Sequence, residues 1–483
     1  MTEVIEKISK DTLATLTRDI ERVFAAQMEN RYSIAATTAK QRIVKLKRLL
    51  DAIYRRREDI RRALHQDFKK PAAEVDISEI FAVTQEIKHT IKHLKRWMKP
   101  QRVKPTLTMM TTRSHIRYEP KGVVLIIAPW NYPFNLIFGP LAAAIAAGNC
   151  AILKPSEFTP HTSALMKEMV NDMFPENEVA LFEGDKQVAE ILLRRPFHHI
   201  FFTGSPAVGR IIMRAAAEHL TTVTLELGGK SPVIIDESAA IKDAAEKLAA
   251  EKFFNAGQTC IAPDYIFVHQ RHHEAFLKLL EQQIRSAYGQ NPAEREASPY
   301  FARVINPEHF RRLSDMVEQA LEKGARMVVG GKFNPEDNYI APTVLTDLPE
   351  DTPLLQEEIF GPVLPVMPYE DLSTVLQFIN GHPKPLALYI FSRRRKNIER
   401  IFANTSAGGS CINDSAVQFL HPNLPFGGIN NSGFGNSHGF YGFRAFSHER
   451  AVLKQSIYSP FKLLSPPYTP RVQRLIDLVV KYL

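Results

Sequence analysis

Cys260 lies in the run Asn255-Ala256-Gly257-Gln258-Thr259-Cys260-Ile261-Ala262-Pro263, directly after a long helical pattern. A lone thiol at a helix-to-loop junction can serve as nucleophile, metal ligand or packing, and the run itself leaves all three open. Glu226, in Leu225-Glu226-Leu227-Gly228-Gly229-Lys230, offers a base for it. A carboxylate on an apolar strand end tends toward a raised pKa, which suits activation of water near neutral pH. A surface Glu at a strand end is the plainer alternative. Asn131 sits between Trp130 and Tyr132 in a loop bracketed by Pro129 and Pro133. A rigid loop can aim an amide N–H at a developing oxyanion, although a turn Asn bonding its own backbone is the better reading of the local residues alone.

Three further runs could hold a ligand. Phe202-Thr203-Gly204-Ser205-Pro206-Ala207-Val208-Gly209 follows a strand pattern and opens a helix, so free amides at that helix start could meet a pyrophosphate. It is neither Gly-x-Gly-x-x-Gly nor a P-loop, because Arg210 and Ile211 stand where Lys and Ser/Thr are needed. Lys154-Pro155-Ser156-Glu157 closes another strand, at the sheet edge where open parallel sheets bind ligands. Lys154 and Glu157 could bond ribose hydroxyls there, or Ser156 and Glu157 could simply cap the next helix. In Gln356-Glu357-Glu358-Ile359-Phe360-Gly361-Pro362, a carboxylate beside an aromatic and a turn could hold a sugar and pack a nicotinamide ring. A solvated acidic loop is the alternative.

Other runs carry less. His89 and His93 are spaced i,i+4, but lysines surround them and no acid accompanies them, so a solvated helix face is the better reading than zinc. The tandem pairs His198-His199 and His272-His273 point apart. Gly433-Phe434-Gly435 resembles a phosphate loop with no strand before it and no apolar helix after it. Cys150, Cys260 and Cys411 are the only cysteines; they make no even disulfide framework and no Cys-x-x-Cys pattern, which excludes a metal site from the expectation and points to a reducing, cytoplasmic compartment.

The elements that must position these residues alternate. Residues 1–98 read as amphipathic helices, and 102–119 as an extended arm or hairpin. Strands are predicted at 123–127, 151–153, 180–183, 199–202 and 222–227, separated by helices at 135–147, 159–173, 185–194 and 206–219. That order implies βαβ units and a doubly wound parallel sheet. A second α/β series follows, with strands at 232–235, 265–268, 327–329, 363–367 and 386–391 and helices at 239–255, 272–288, 307–323, 372–379 and 396–404. The length exceeds what one core sustains, so two packed halves with a site between them are expected.

A net charge of +9 is spread along the chain rather than gathered on one element with aromatics, which argues against nucleic acid. The acidic start predicts no signal peptide. The uncharged stretch from Gly122 to Leu153 is broken by Pro and Gly, short of the ~20 continuous apolar residues of a membrane helix. The segment from Pro470 to Leu483 reads as a tail helix docked on the protein, with a membrane-surface helix as the alternative.

Taken together, Pro129–Pro133, Lys154–Glu157, Phe202–Gly209, Leu225–Pro232, Gly257–Cys260, Glu358–Pro362 and Leu424-Pro425-Phe426-Gly427-Gly428 resemble the aldehyde dehydrogenase superfamily from about Gln41 to Leu453. Cys260–Tyr265 and the run Ser432-Gly433 through His438-Gly439 to Gly442-Phe443 look most like its class 3 branch, which includes fatty and coniferyl aldehyde dehydrogenases. The resemblance implies an NAD- or NADP-dependent oxidation of aldehydes to acids through a thiohemiacetal and a thioester. The substrates it implies are medium- or long-chain aliphatic or aromatic aldehydes. Cys260 would be the nucleophile, Asn131 with the Cys260 amide the oxyanion hole, and Glu226 the base for deacylation. Lys154 and Glu157 would contact the adenosine ribose, Gly204, Ser205 and Val208 the pyrophosphate and adenine site, and Glu358 with Phe360 the nicotinamide riboside. Glu157 would repel a 2′-phosphate and Lys154 could accept one, so the dinucleotide is left open. The implied fold is α/β: a doubly wound parallel-sheet dinucleotide-binding domain (1–98 and 122–226), a second α/β catalytic domain (227–412), and a small β oligomerisation arm with a tail (99–121 and 413–483). A homodimer is implied too. The rivals are a catalytically silent protein on the same fold and a membrane-peripheral enzyme with its contact in the tail.

Overall fold

The computed structural model describes residues 10–457 and 459–482. Residues 1–9, at the start of the predicted helical region, and Leu483, at the end of the tail, lie outside the described residues.

The apolar runs become two largely parallel sheets. In the six-stranded sheet Val123–Ile127 lies beside Cys150–Lys154 on one side and His199–Gly204 on the other, with Val179–Leu181 and Thr222–Leu227 further out. All five residues of Val123–Ile127 are buried, as expected of a central parallel strand covered on both faces. Strand order runs outward in one direction and then back to the other, so the topological switch lies between Val123–Ile127 and His199–Gly204. Helix Asn135–Ala147 is apolar all round and buried accordingly, ending at Gly148 in a left-handed cap. The long helix Lys10–Ala35 covers the other face, with Phe24 edge-on to Phe197 at 5.0 Å.

The second sheet has seven strands, two more than predicted. Thr343–Thr346 and Gly409–Ile412 were not expected; both are four residues long, the latter opening on glycine, and neither stands out as an apolar run. Arg326–Val329 is an antiparallel edge strand rather than one more parallel member. One apolar cluster continues from Val124 and Leu153 of the first sheet to Val233, Ile266 and Phe391 of the second, so the two halves share a core.

A three-stranded antiparallel sheet of Gln101–Val103, Thr112–Pro120 and Ser447–Gln455 forms the arm. The rest of the C-terminal part is distributed. Gly433–Phe434 adds an antiparallel edge to the first sheet, and helix Gly439–Ala445 packs on Asn135–Ala147 and Ala82–Trp97. The helix Pro470–Tyr482 buries none of its described residues, so the expected docking of the tail on the body is not seen. Its contacts are with the turn Pro460–Leu464.

Candidate active site

Strand ends of the first sheet deliver most of the candidate residues. Val123–Ile127 runs into the proline-bracketed loop that carries Asn131, His199–Gly204 ends at Thr203 and Gly204, and Thr222–Leu227 carries Glu226. Glu226 pairs with Thr203 on one side and with Gly433 on the other.

Cys260 arrives from the second domain. The helix predicted to run to Asn255 stops at Phe253, because Asn255, Ala256 and Gly257 adopt φ values of 53°, 52° and 71°. A side chain in this left-handed region costs ~1–3 kcal/mol and persists only where its surroundings over-determine it. They do so here. The Asn255 amide donates to Glu74 Oε2 at 2.9 Å, and Asn255 Nδ2 donates to the Asn131 carbonyl at 3.0 Å. Buried Gln258 donates to the carbonyls of Asn255 and Arg303 and accepts from the Ile305 amide, all at 3.0 Å. A Cβ on Gly257 would run into the Gly361 carbonyl. Asn131 Nδ2 donates to the Gln258 carbonyl at 3.0 Å, and Tyr132 Oη meets Thr259 Oγ1 at 2.5 Å. The Asn131 loop and the Cys260 loop are thereby clasped together. A second amide N–H of Asn131 is left over, and its Oδ1 is buried without a partner.

Two cavities meet at this clasp, and Cys260, Glu226 and Thr203 line both. One, of about 150 Å³, is walled by Tyr132, Leu136, Phe254, Ile261, Phe419 and Phe426. The other, of about 240 Å³, is walled by Asn131, Gly204, Ser205, Gly228, Glu358 and Phe360. A thiol and a carboxylate therefore stand where an apolar chamber opens on a more polar one.

Burial sets the charges. Glu226 is pushed up to about 7 by desolvation, against the pull of a hydrogen bond donated by Ser437 Oγ. Glu358 is pushed up to about 7 by burial, opposed by the Gly229 amide. The Cys260 thiol is pushed up to about 12, by burial first and then by the carboxylates of Glu226 and Glu358. The two carboxylates disfavour a thiolate beside them, so the resting thiol keeps its proton.

The aldehyde dehydrogenase family profile matches residues 2–452. The chain is 46% identical over 438 residues to AldX of Bacillus subtilis, covering 91% of this chain and 98% of that one. It is 41% identical over 445 residues to aldehyde dehydrogenase family 3 member B1 of Bos taurus, covering 92% and 93%. A substrate-bound Staphylococcus aureus AldH superimposes with a TM-score of 0.91 at 40% identity, over 95% of this chain and 99% of that one. An NAD+ complex of an aldehyde dehydrogenase from Bacillus cereus gives a TM-score of 0.82 at 28% identity, over 91% and 89%.

This chain belongs to the aldehyde dehydrogenase family.

Its relatives bear out the class 3 resemblance, and a catalytically silent role is not favoured. This aldehyde dehydrogenase takes a nicotinamide dinucleotide. Its polar cavity fits one. Gly204 and Gly228 leave spaces that a Cβ would fill, against the Phe202 ring and the Glu358 carboxylate. Ser205 caps helix Pro206–Ala217, accepting from the Val208 amide at 3.4 Å, so the helix start faces the strand ends. Thr203 Oγ1 is buried with no partner. Phe360, itself at φ 50°, lies edge-on to Trp130 at 5.4 Å.

The structure gathers Cys260, Glu226, Asn131, Gly204, Ser205, Glu358 and Phe360 around this cavity. Lys154, Glu157 and Val208 do not line it. Lys154 and Glu157 stand at the same sheet edge, 3.6 Å apart, with Lys154 Nζ donating to the Pro155 carbonyl at 2.7 Å. Glu157 does not cap the following helix: the amides of His161 and Thr162 donate to Asp67, each at 3.0 Å.

Sequence reasoning passed over the supports. Ser437 orients Glu226 across 211 residues. Arg312 donates to the carbonyls of Glu358 and Ile359, at 3.3 and 2.6 Å, and the Ile359 amide donates to Asp264 at 2.9 Å. Lys230, just past the Glu226 strand, is buried against Asp264 and donates to the carbonyls of Leu354 and Glu357 at 2.7 and 2.9 Å. The adjacency of Lys230 to Gly228-Gly229 was the one signal available. Among the described residues no group of three His, Cys, Asp or Glu side chains could hold a metal.

Proposed function

We propose that aldehyde oxidation in this protein uses Cys260 as nucleophile, Asn131 as oxyanion donor and Glu226 as the base of deacylation. The reading rests on one observation: Cys260 and Glu226 lie where the apolar and the polar cavity join. An aldehyde in the apolar chamber presents its carbonyl to Sγ, with the free Asn131 N–H and the Cys260 amide available for the oxygen as it gains charge. Glu226 can take the thiol proton, directly or through a water, before attack. When bound in the polar cavity, a nicotinamide ring supplies the hydride acceptor that oxidation needs. Glu358 and Phe360 would hold the riboside, Gly204, Ser205 and Val208 the pyrophosphate and adenine side, and Lys154 with Glu157 the adenosine ribose. Glu226 then removes a proton from the water that hydrolyses the thioester. At about 7 it is balanced for that exchange near neutral pH.

The walls of the apolar chamber favour medium- or long-chain aliphatic or aromatic aldehydes. Cys260→Ala tests the mechanism: aldehyde-dependent NADH formation must vanish, and retained turnover sinks it. The proposed division assigns 1–98 and 122–226 to dinucleotide binding, 227–412 to catalysis, and 99–121 with parts of 413–483 to an arm that pairs two copies. A cytoplasmic location follows from the free cysteines. A second reading, enzyme held loosely at a membrane surface, is favoured by the tail helix. Leu478 and Val480 are 55% and 79% exposed there, alongside Arg471, Arg474 and Lys481. Among the described residues no helix is long and apolar enough to cross a membrane.

A further inference from the structure

Glu226 borders three cavities. Two meet at Cys260 and would be filled by aldehyde and dinucleotide. The third, of about 30 Å³, is lined by Glu86, Ser437, His438 and Glu226, and does not touch Cys260. Its other walls are largely apolar, among them Leu136, Phe201, Phe419 and Phe446, and it has room for a water or two against these four polar side chains.

Deacylation poses a problem that this third cavity answers. Water oxygen bonds to the thioester carbon while one water proton passes to Glu226. The C–S bond breaks, the sulfur recovers a proton, and the acid ionises. The sum is thioester plus water giving thiol, carboxylate and one proton. Glu226 already carries the thiol proton when the thioester forms, so that proton must leave this buried carboxylate, flanked by two occupied chambers, before Glu226 can take one from the water, and the second must leave before the next turnover.

We propose that Glu226, Ser437, His438, Glu86 and His89 form an exit route carrying these protons to the protein surface. The proposal rests on the assignment of Glu226 as base. Ser437 Oγ donates to Glu226 Oε1. Once Glu226 is protonated, the bond can reverse, and the serine passes its own proton on. His438 follows Ser437 directly, with Nδ1 3.7 Å from Glu86 Oε2. That is too long for a direct hydrogen bond and suits a bridging water. Glu86 Oε1 accepts from the Gly439 amide at 2.8 Å. His438 is held at φ 70° and Gly439 at 50°, a conformation pinned by the Ser437 amide donating to the Phe426 carbonyl at 2.7 Å. Strain in a non-glycine residue facing a cavity marks a placement with a purpose. On the far side, His89 stands three residues after Glu86 on the helix Ala82–Trp97, and so on the same helix face. His89 lines a surface groove with Arg96, Gln101 and Asn423, its ring 4.3 Å from that of His93. Burial matches the two carboxyls: Glu86, like Glu226, is pushed up to about 7, so a proton moves between them without a large penalty. His438, pushed down to about 4, relays as a neutral ring.

The test uses the full-length enzyme with benzaldehyde and NAD, following thioester formation and decay by rapid quench. Glu86→Gln keeps an acceptor for Gly439, and His438→Asn tolerates the left-handed backbone. Both variants are expected to form thioester at the wild-type rate and to lose it at least roughly tenfold more slowly. Formate should restore decay in the first and imidazole in the second, with dependence on their concentration. Unchanged decay overturns the route, as does slow decay that no small base restores. Where a variant fails to fold, wild-type decay in mixtures of light and heavy water decides: a curved dependence supports several protons in transit, and a linear one overturns it. Glu226→Gln separates the two claims. If it leaves decay unchanged, the base assignment falls; if it slows decay while Glu86→Gln and His438→Asn do not, the route alone falls.

Discussion

Burial makes Glu226 and Cys260 each resist ionisation, and the Glu226 carboxylate adds to the resistance of the thiol. Two outcomes follow at this scale. Glu226 must be deprotonated to act, so deacylation should rise as pH climbs through about 7 and level off above it. Glu226→Gln should abolish that pH dependence and slow thioester decay by roughly 10²–10⁴-fold, while thioester still forms. Single-turnover kinetics across pH 5–9 check both (on the order of ten buffers suffices). Asn131→Ala should slow thiohemiacetal formation and deacylation alike, by roughly 10²–10³-fold, since both develop charge on the same oxygen. A loss confined to one step would show that Asn131 serves only to clasp Gln258.

The Asn255–Gln258 turn holds Cys260 by geometry rather than by apolar packing. Gly257→Ala puts a methyl against the Gly361 carbonyl, so it should displace the neighbouring Glu358 loop and weaken dinucleotide binding along with activity. Gln258→Ala strands the Ile305 amide and the Arg303 carbonyl, and should lower stability by ~1–3 kcal/mol for each group left unpaired, read by urea unfolding. This turn also shows where the sequence stops being legible. Runs such as Val123–Ile127 and helix Asn135–Ala147 declare themselves, because burial on all sides demands unbroken apolar residues. Cys260, Glu226 and Asn131 were legible because each sits beside a break in such a run. Phe254-Asn255-Ala256 carries no Pro or Gly, so a left-handed turn enforced by Glu74, Asn131 and Gln258 looks like continuing helix. Ser437, Arg312 and Asp67 act across more than 40 residues, through contacts that no spacing in the chain announces.

The arm sheet is solvent-exposed over much of both faces, with Gln101–Val103 and Ser447–Gln455 as its outer strands. Such a sheet is marginal alone and invites another copy. Light scattering on a sizing column should give twice the mass of one chain, and a monomer would remove the arm from the assembly. Removing residues 470–483 tests the tail: flotation with anionic vesicles should fall, and binding of the intact protein should weaken with salt. Equal flotation of both forms would leave the tail without a membrane role. Pairing of Gly433–Phe434 with the Glu226 strand has a consequence for synthesis. At ~5–20 residues per second, the ribosome makes Ser437 roughly 10–40 s after Cys260. During that interval the thiol exists but its base is unfixed, and the last edge of its sheet is missing. A chain not yet extended through residues 433–437 therefore lacks both the strand that borders Glu226 and the hydroxyl that orients it.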